Sequence, residues 1–374
     1  MARKTGADLT DLALHLVKIP SVTGAEGPLC DQVLSFVEQV SSNASARRFG
    51  NNLIVECAAE IDSPVVGLIG HLDTVPPAPG QPLGLRDGRL FGRGAVDMKA
   101  GLACMLHLLE EETRPRKARP VLVFYDREEG PAEENGLGHL LRDGHLPRMD
   151  AALVLEPTGN RIEAGCSGTI HARVTVRGKA AHSARPWLGD NAVYRALPLL
   201  SSLAGRSPRP VAVGELVFHE VVSVTQVWTE NARNVIPPVV EINVNYRFPP
   251  GRSVSEAGVA LEAWIREAFG GSAGCDVERG EAQGSDAAVA VSVVDAASAG
   301  ADASNHPVFR AWRREHGLEL RAKQGWTDVA RLTEAGIPAV NFGPGDPAQA
   351  HQDCESLLLD DLEAGYQTLR SLFY

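Results

Sequence analysis

Four short apolar runs constrain this chain more than any other feature: Pro64 to Gly70 (PVVGLIG), Pro120 to Tyr125 (PVLVFY), Ala151 to Leu155 (AALVL) and Ala339 to Phe342 (AVNF). They are continuous rather than alternating, which predicts strands buried on both faces, and such strands belong to sheets covered by helices. Helical spacing lies around them. Leu9, Leu12, Ala13, Leu16 and Val17 recur with that period in Asp8 to Lys18, and the pattern returns in Pro28 to Val40 and Lys99 to Glu112. The alternation predicts an α/β fold with a mixed, largely parallel sheet flanked by helices.

The middle of the chain follows a different rule. Thr169 to Arg177 (TIHARVTVR) alternates with period two, Asp190 to Leu203 reads as a helix, and Val217 to Val227 and Val239 to Phe248 are again strand-like. This pattern predicts an antiparallel α+β domain inserted into the first. The expected division is residues 1–168 and 284–374 for the α/β domain and 169–283 for the insertion, with a Gly/Ala/Ser-rich passage from about Gly270 to Ser304 marking the later boundary.

Composition narrows the function. At 374 residues with 44% hydrophobic and 22% charged residues the chain is an ordinary globular protein, not a disordered or fibrous one. A net charge of −11 speaks against nucleic acid or an anionic membrane as partner. The six cysteines (Cys30, Cys57, Cys104, Cys166, Cys275, Cys354) form no CxxC pair, so neither a disulfide scaffold nor a thiolate zinc site is expected. With a polar start, MARKTGADLT, and no run near about 18 apolar residues, the expected location is the cytoplasm.

Each apolar run delivers polar residues at its carboxyl end: His71 and Asp73 after the first, Glu128 and Glu129 after the second, Glu156 after the third, and a loop reaching His351 after the last. In open α/β sheets ligands bind beyond the carboxyl ends of the strands, so these clusters are candidates for one crevice. Asp97, in FGRGAVDMKAG just ahead of the helix from Lys99, joins them. Imidazoles and carboxylates without thiolates suit a hydrolytic Zn2+ site, and two histidines with three carboxylates suggest two ions. In HLD, Asp73 can hold the second ring nitrogen of His71 and fix its tautomer. Adjacent Glu128 and Glu129 should diverge in an extended loop, one to a metal and one to water. Each residue alone has a plainer reading: a turn, an acidic surface loop, or a helix cap for Asp97. Two decoys fail: Gly92-Arg-Gly94 lacks the third glycine of a dinucleotide fingerprint, and Gly165-Cys-Ser167-Gly168-Thr169 lacks the last glycine of a nucleophile elbow.

In order and spacing, HLDTVP, GRGAVDMKAG, the pair in DREEGPAEENGLG, LEPT and the late His351 together resemble the co-catalytic zinc amidohydrolases of the M20 peptidase family. Within it the chain is most similar to succinyl-diaminopimelate desuccinylases, from about residue 10 to the C-terminus. The resemblance implies a zinc-exopeptidase-like catalytic domain with a ferredoxin-like lid and dimerisation domain. It implies two Zn2+, with Co2+ or Mn2+ as substitutes. His71 and Glu156 would hold one ion, Glu129 and His351 the other, and Asp97, ahead of a cis peptide to Met98, would bridge them. Glu128 would be the general base, and His182, in GKAAHSARPWLGDNA, would come from the partner subunit of a homodimer to stabilise the oxyanion. Asn234, Arg247, Gly325 and Thr327 would bind the substrate, an N-acyl amino acid. The implied reaction is hydrolysis of N-succinyl-LL-2,6-diaminopimelate in lysine and cell-wall synthesis. Alternatives are another M20 deacylase of the acetyl-ornithine or acetyl-citrulline type, a carboxypeptidase, or an inactive metal-dependent binding protein. His182 could equally cap a strand end and Arg247 serve an ion pair. Cys166-Ser167 stands where some desuccinylases carry an Arg pair, and Trp326 where they carry a small polar residue.

Overall fold

The computed structural model describes residues 8–41, 43–57, 63–111, 116–270, 277–279 and 288–374. The chain divides into two compact units, one of Met1–Gly165, Ala301–Lys323 and Arg331–Tyr374, the other of Cys166–Gly300 and Gln324–Ala330. Among the described residues no helix is long and apolar enough to cross a membrane.

The first unit is built on an eight-stranded sheet: β1 (Ala44–Phe49), β2 (Asn52–Cys57), β3 (Val65–His71), β6 (Arg119–Tyr125), β7 (Ala151–Val154), β8 (Ile162–Ala164), β15 (Leu320–Ala322) and β16 (Ala339–Asn341). The small strands β4 (Gly84–Arg86), β5 (Arg89–Phe91) and β17 (Ser356–Leu358) form a separate sheet. In the large sheet the order is β1-β2-β6-β3-β7-β16-β8-β15. Its four central strands, β6, β3, β7 and β16, are mutually parallel, and they are the four apolar runs read from the sequence. Antiparallel joints at β1–β2, β2–β6 and β16–β8 make the sheet mixed.

The central strands are almost continuously buried, as expected where helices cover both faces. Helix Lys99–Leu109 packs against β3 and against helices Leu9–Lys18, Gly27–Val40 and Leu359–Ser371. All of its side chains except His107 are buried. Buried Lys99 points its ammonium at the carbonyls of Leu16 (3.3 Å) and Ile19 (2.6 Å), where the first helix ends and its C-terminal carbonyls favour a cation. The helix expected to run to Glu112 ends at Leu109, and position 112 itself lies outside the described residues.

The second unit is a six-stranded sheet in the order β10-β11-β12-β9-β14-β13, from β9 (Gly168–Arg177), β10 (Arg209–Val213), β11 (Leu216–Trp228), β12 (Val239–Phe248), β13 (Val277–Arg279) and β14 (Val289–Ala297). One face carries Ile170, Ala172, Val174 and Val176 with Val240, Ile242, Val244, Tyr246 and Phe248, packed on Leu199, Leu203, Leu261 and Ile265 of its helices. Period two puts Thr169, His171, Asn243, Asn245 and Arg247 on the other face. The expected boundary at 283/284 lies outside the described residues. Beyond it, β14 pairs along β9, so the sheet of the second unit continues past 283; without β14 the amides of β9 would form an open edge. The single helix expected over Asp190 to Leu203 is two, Ala192–Arg195 and Leu197–Ala204. Pro198 in the first turn of the second helix has no N–H to continue the first.

Candidate metal centre

The parallel strands end side by side, and their carboxyl ends carry the predicted residues. His71 closes β3, Glu128 and Glu129 follow β6, Glu156 follows β7, and the chain after β16 returns through His351. Asp97 comes from the turn before helix Lys99–Leu109, whose cap residue is Met98 and not Asp97. The Asp97 carboxylate is therefore not used as a helix cap. The Asp97–Met98 peptide is cis, as the resemblance implied.

The Asp97 carboxylate faces two ways. Its Oδ1 is 3.1 Å from His71 Nε2, which lies 3.8 Å from Glu156 Oε1. Its Oδ2 is 3.3 Å from His351 Nε2, which is 2.7 Å from Glu129 Oε1. Two groups result, His71–Asp97–Glu156 and Asp97–Glu129–His351, each with its ligand atoms within 4.8 Å of one another. A third combination, His71 with Glu128 and Glu129, meets the same limit.

Asp73, fully buried, organises one side of the site. Its Oδ1 accepts the Glu128 N–H (2.9 Å), and its Oδ2 accepts the Glu129 N–H (3.0 Å) and the Thr23 hydroxyl (2.9 Å). These bonds fold Glu128 and Glu129 into a turn rather than the extended loop expected, because adjacent amides that share one carboxylate must point the same way. Asp73 also reaches His71, as expected, but the shorter contact to Nδ1 is from its carbonyl oxygen (3.0 Å) and the carboxylate is at 3.4 Å. A carbonyl only accepts, so Nδ1 carries a proton, and Nε2 is the nitrogen whose lone pair a cation held between Asp97 and Glu156 would take in place of its proton.

The site concentrates negative charge. Two carboxylates 4 Å apart repel by about 4 kcal/mol at an effective dielectric constant of 20, and Asp97, Glu129 and Glu156 are all nearly enclosed. Burial and the Asp97 carboxylate push Glu156 up to about 7. Hydrogen bonds to Asp97 and Glu129 raise His351 to about 10. Burial opposes a charged His71, yet Asp73 and Asp97 outweigh it and hold its pKa well above the ordinary value. Burial likewise opposes ionised Asp97, and its bonds to His351 and His71 outweigh that. These groups compete for positive charge, and imidazole lone pairs with carboxylate oxygens in two sets fit two divalent cations.

The remaining predicted residues lie in the second unit. Exposed His182 bridges to Val235, and the Ser183 N–H bonds the carbonyl of Asn234, so His182 and Asn234 are backbone neighbours. The Ala184 N–H donates to His182 Nδ1 at 3.0 Å, which leaves the proton on Nε2. Arg247 lies opposite Thr169, and its Nε donates to Asn245 Oδ1 at 3.1 Å. Gly325 is exposed and Thr327 buried, and the Cys166 thiol contacts the Thr327 carbonyl. Sequence reasoning missed two charged groups beside the cluster. Lys323, nearly buried, puts Nζ 3.2 Å from Glu163 Oε2, and its charge counters the rise in Glu156. Glu355, fully buried, bonds the loop that carries Asp97. The only signal for Glu355 was an acid directly ahead of an apolar strand, and Lys323 gave none.

Comparison with known proteins gave matches in sequence and in fold. A family model described as peptidase family M20/M25/M40 matches residues 67–374. A Mycobacterium tuberculosis protein provisionally named succinyl-diaminopimelate desuccinylase DapE is 37% identical over 366 residues, 97% of each chain. The Corynebacterium glutamicum succinyl-diaminopimelate desuccinylase is 36% identical over 369 residues, 96% of this chain and 95% of that one. Among solved structures, an M20 family metallo-carboxypeptidase of Sulfolobus solfataricus superposes with a TM-score of 0.72 at 14% identity, covering 98% of both chains. A dinuclear metal-binding M20 peptidase of Bacillus subtilis does so with a TM-score of 0.69 at 18% identity, covering 97% of this chain and 96% of that one. These two similarities establish the fold.

Proposed function

Because this chain belongs to peptidase family M20/M25/M40, a family of metal-dependent hydrolases, we propose that it removes succinate from N-succinyl-LL-2,6-diaminopimelate, releasing LL-2,6-diaminopimelate for lysine and cell-wall synthesis in the cytoplasm. One observation carries the two-metal part of this reading: the two oxygens of Asp97 address different imidazoles, His71 and His351. The substrate rests on the desuccinylase relatives that align over almost the whole chain.

His71, Asp97 and Glu156 would hold one cation and Asp97, Glu129 and His351 the other. Zn2+ is the proposed metal, and Co2+ or Mn2+ would accept the same donors. When bound, the pair would act as Lewis acids, polarising the amide carbonyl and lowering the pKa of a water towards about 7. Glu128, on the turn that Asp73 holds, takes a proton from the attacking water as the oxygen adds to the carbonyl carbon. It returns that proton to the amide nitrogen as the C–N bond breaks, so the products are a carboxylic acid and an amine. His182, contributed by the partner in a homodimer, donates from Nε2 to the developing oxyanion. Arg247 offers its fork to a substrate carboxylate, with Asn234, Gly325 and Thr327 completing recognition.

A second reading, another N-acyl-amino-acid deacylase or a carboxypeptidase, is favoured by Cys166 and Ser167 at the start of the second unit, where an Arg pair would otherwise meet an acyl carboxylate. Zn2+-loaded protein offered succinyl-diaminopimelate, acetyl-ornithine, acetyl-citrulline and dipeptides separates the readings. Turnover of the succinyl compound is expected. Turnover of an acetyl compound or dipeptide alone refutes the substrate, and metal uptake with no turnover of any identifies a binding protein.

A further inference from the structure

The loop Gly92–Asp97 and the segment Gln352–Glu355 meet at one side chain. Glu355 has no exposed surface, and four donors surround its carboxylate. Oε1 accepts the N–H of Val96 (2.8 Å) and of Asp97 (3.2 Å). Oε2 accepts the N–H of Gly94 (3.2 Å) and Nη1 of Arg93 (2.9 Å). Its own backbone is fixed too: the Gly92 N–H bonds its carbonyl, and the strand that follows it, Ser356–Leu358, pairs with Arg89–Phe91. The loop amides belong to no helix or sheet, so without this carboxylate they would be buried donors lacking partners, at roughly 1–3 kcal/mol each.

We infer that Glu355 is a positioning residue for the metal centre, the group that sets the bridging orientation of Asp97 and its spacing from His351. This inference rests on the two-metal reading above. The reason is geometric. Fixing the N–H of Val96 and Asp97 to one oxygen fixes the peptide plane from which the Asp97 side chain leaves, and Glu355 sits only four residues beyond His351 in the chain. His351 is half exposed and 3.3 Å from Asp97, so the first buried anchor of its own segment is the same carboxylate that holds Asp97. One group thus ties together two ligand-bearing segments that are remote in sequence. Metal sites tolerate misplacement of their ligands by only about 0.5 Å. A carboxylate is required rather than an amide, because all four neighbours are donors and a Gln would turn its NH2 against two of them.

The test uses the full chain, freed of metal and titrated with Co2+, following the visible absorption of the bound ion. Wild type and Glu355→Gln are compared at a temperature where both show the same near-ultraviolet circular dichroism. The expected result for Glu355→Gln is a weaker Co2+ uptake step at least tenfold weaker than in wild type, the size seen when groups that orient ligands are removed, together with an altered visible band. At saturating Co2+ its kcat should fall while KM stays within about twofold, since Glu355 touches no substrate. Two uptake steps and a band like those of wild type overturn the inference. If Glu355→Gln does not fold, Glu355→Asp, which keeps the charge but is one methylene short of four donors, is read the same way: a weakened step supports the inference and an unchanged titration overturns it. A wild-type chain that takes up no Co2+ overturns the two-metal reading and this inference with it, whereas two-step wild-type uptake with an unchanged variant overturns the inference alone.

Discussion

Replacing Asp73 by Asn changes one atom of a fully buried side chain, and the structure says what that atom does. Oδ1 and Oδ2 accept the adjacent amides of Glu128 and Glu129 at 2.9 and 3.0 Å. An Asn keeps one of these oxygens and presents an NH2 group in place of the other. Whichever way the amide turns, one of the two N–H groups loses a charged acceptor and faces a donor. A hydrogen bond to a charged partner is worth about 1.5–3 kcal/mol, and a buried donor left unpaired costs about 1–3 kcal/mol. The turn relieves this by moving, and both Glu128 and Glu129 ride on it. If that displacement loosens Glu129 as other orienting substitutions loosen metal ligands, affinity falls by about 10- to 100-fold, equivalent to about 1.4–2.7 kcal/mol. The rate falls as well, because Glu128 loses its register with the attacking water. Urea unfolding, a Zn2+ competition titration and initial rates on the same preparation measure all three. A folded Asp73→Asn protein with wild-type Zn2+ affinity and kcat refutes the reasoning, since it would show that the turn does not need its shared acceptor.

Glu128→Ala should retain metal and lower kcat by about 10²-fold or more if Glu128 moves the proton; an unchanged rate in a metal-loaded sample assigns that task to another group. Mixing inactive His182→Ala and Glu128→Ala proteins should restore activity through hybrid dimers that hold one intact site, and absence of recovery despite measured subunit exchange removes the partner's His182 from the mechanism. A Cβ on Gly343 would lie 2.5 Å from the carbonyl oxygens of both Leu155 and Glu156, so Gly343→Ala should shift Glu156 and weaken metal uptake; the same Zn2+ titration checks it. In the second unit, burial of Glu220 is outweighed by Tyr246, Arg209 and Arg252, which depress its pKa. Its stabilising contribution is therefore complete above the unfolded value of about 4.3 and disappears as pH falls through the folded value. Urea midpoints measured from pH 6 downward should fall less steeply for Glu220→Gln than for wild type, and parallel curves would refute this assignment.

The central sheet was legible because its strands are buried on both faces, so Val65–His71 and Arg119–Tyr125 spell themselves out as unbroken apolar runs. The candidate site was legible for the same reason: ligand residues that follow such runs have few places to go except one end of the sheet. What the sequence concealed was carried by groups acting on backbone. Glu355 acts through the N–H groups of Gly94, Val96 and Asp97, which every residue but proline possesses, so nothing in the identity of those residues announces their partner. The turn at Glu128–Glu129 was hidden likewise, because its shape is set by Asp73, far away in sequence. The extension of the second sheet by β14 depended on an edge of β9 that only the folded topology reveals, and the break before Pro198 was written in the sequence but outweighed by helical spacing.

The position of β16 in the first sheet bears on how the enzyme comes to life during synthesis. It lies between β7 and β8, two strands made some 180 residues earlier, and it pairs with both. Until the ribosome has released Ala339–Asn341, the middle of that sheet is a slot with unsatisfied edges, and the whole inserted unit has already emerged. The slot is filled only by the last strand of that sheet to be made, and His351 arrives after it. The two ligand sets are thus completed late in synthesis, and a fragment that stops short of His351 lacks one member of the second set.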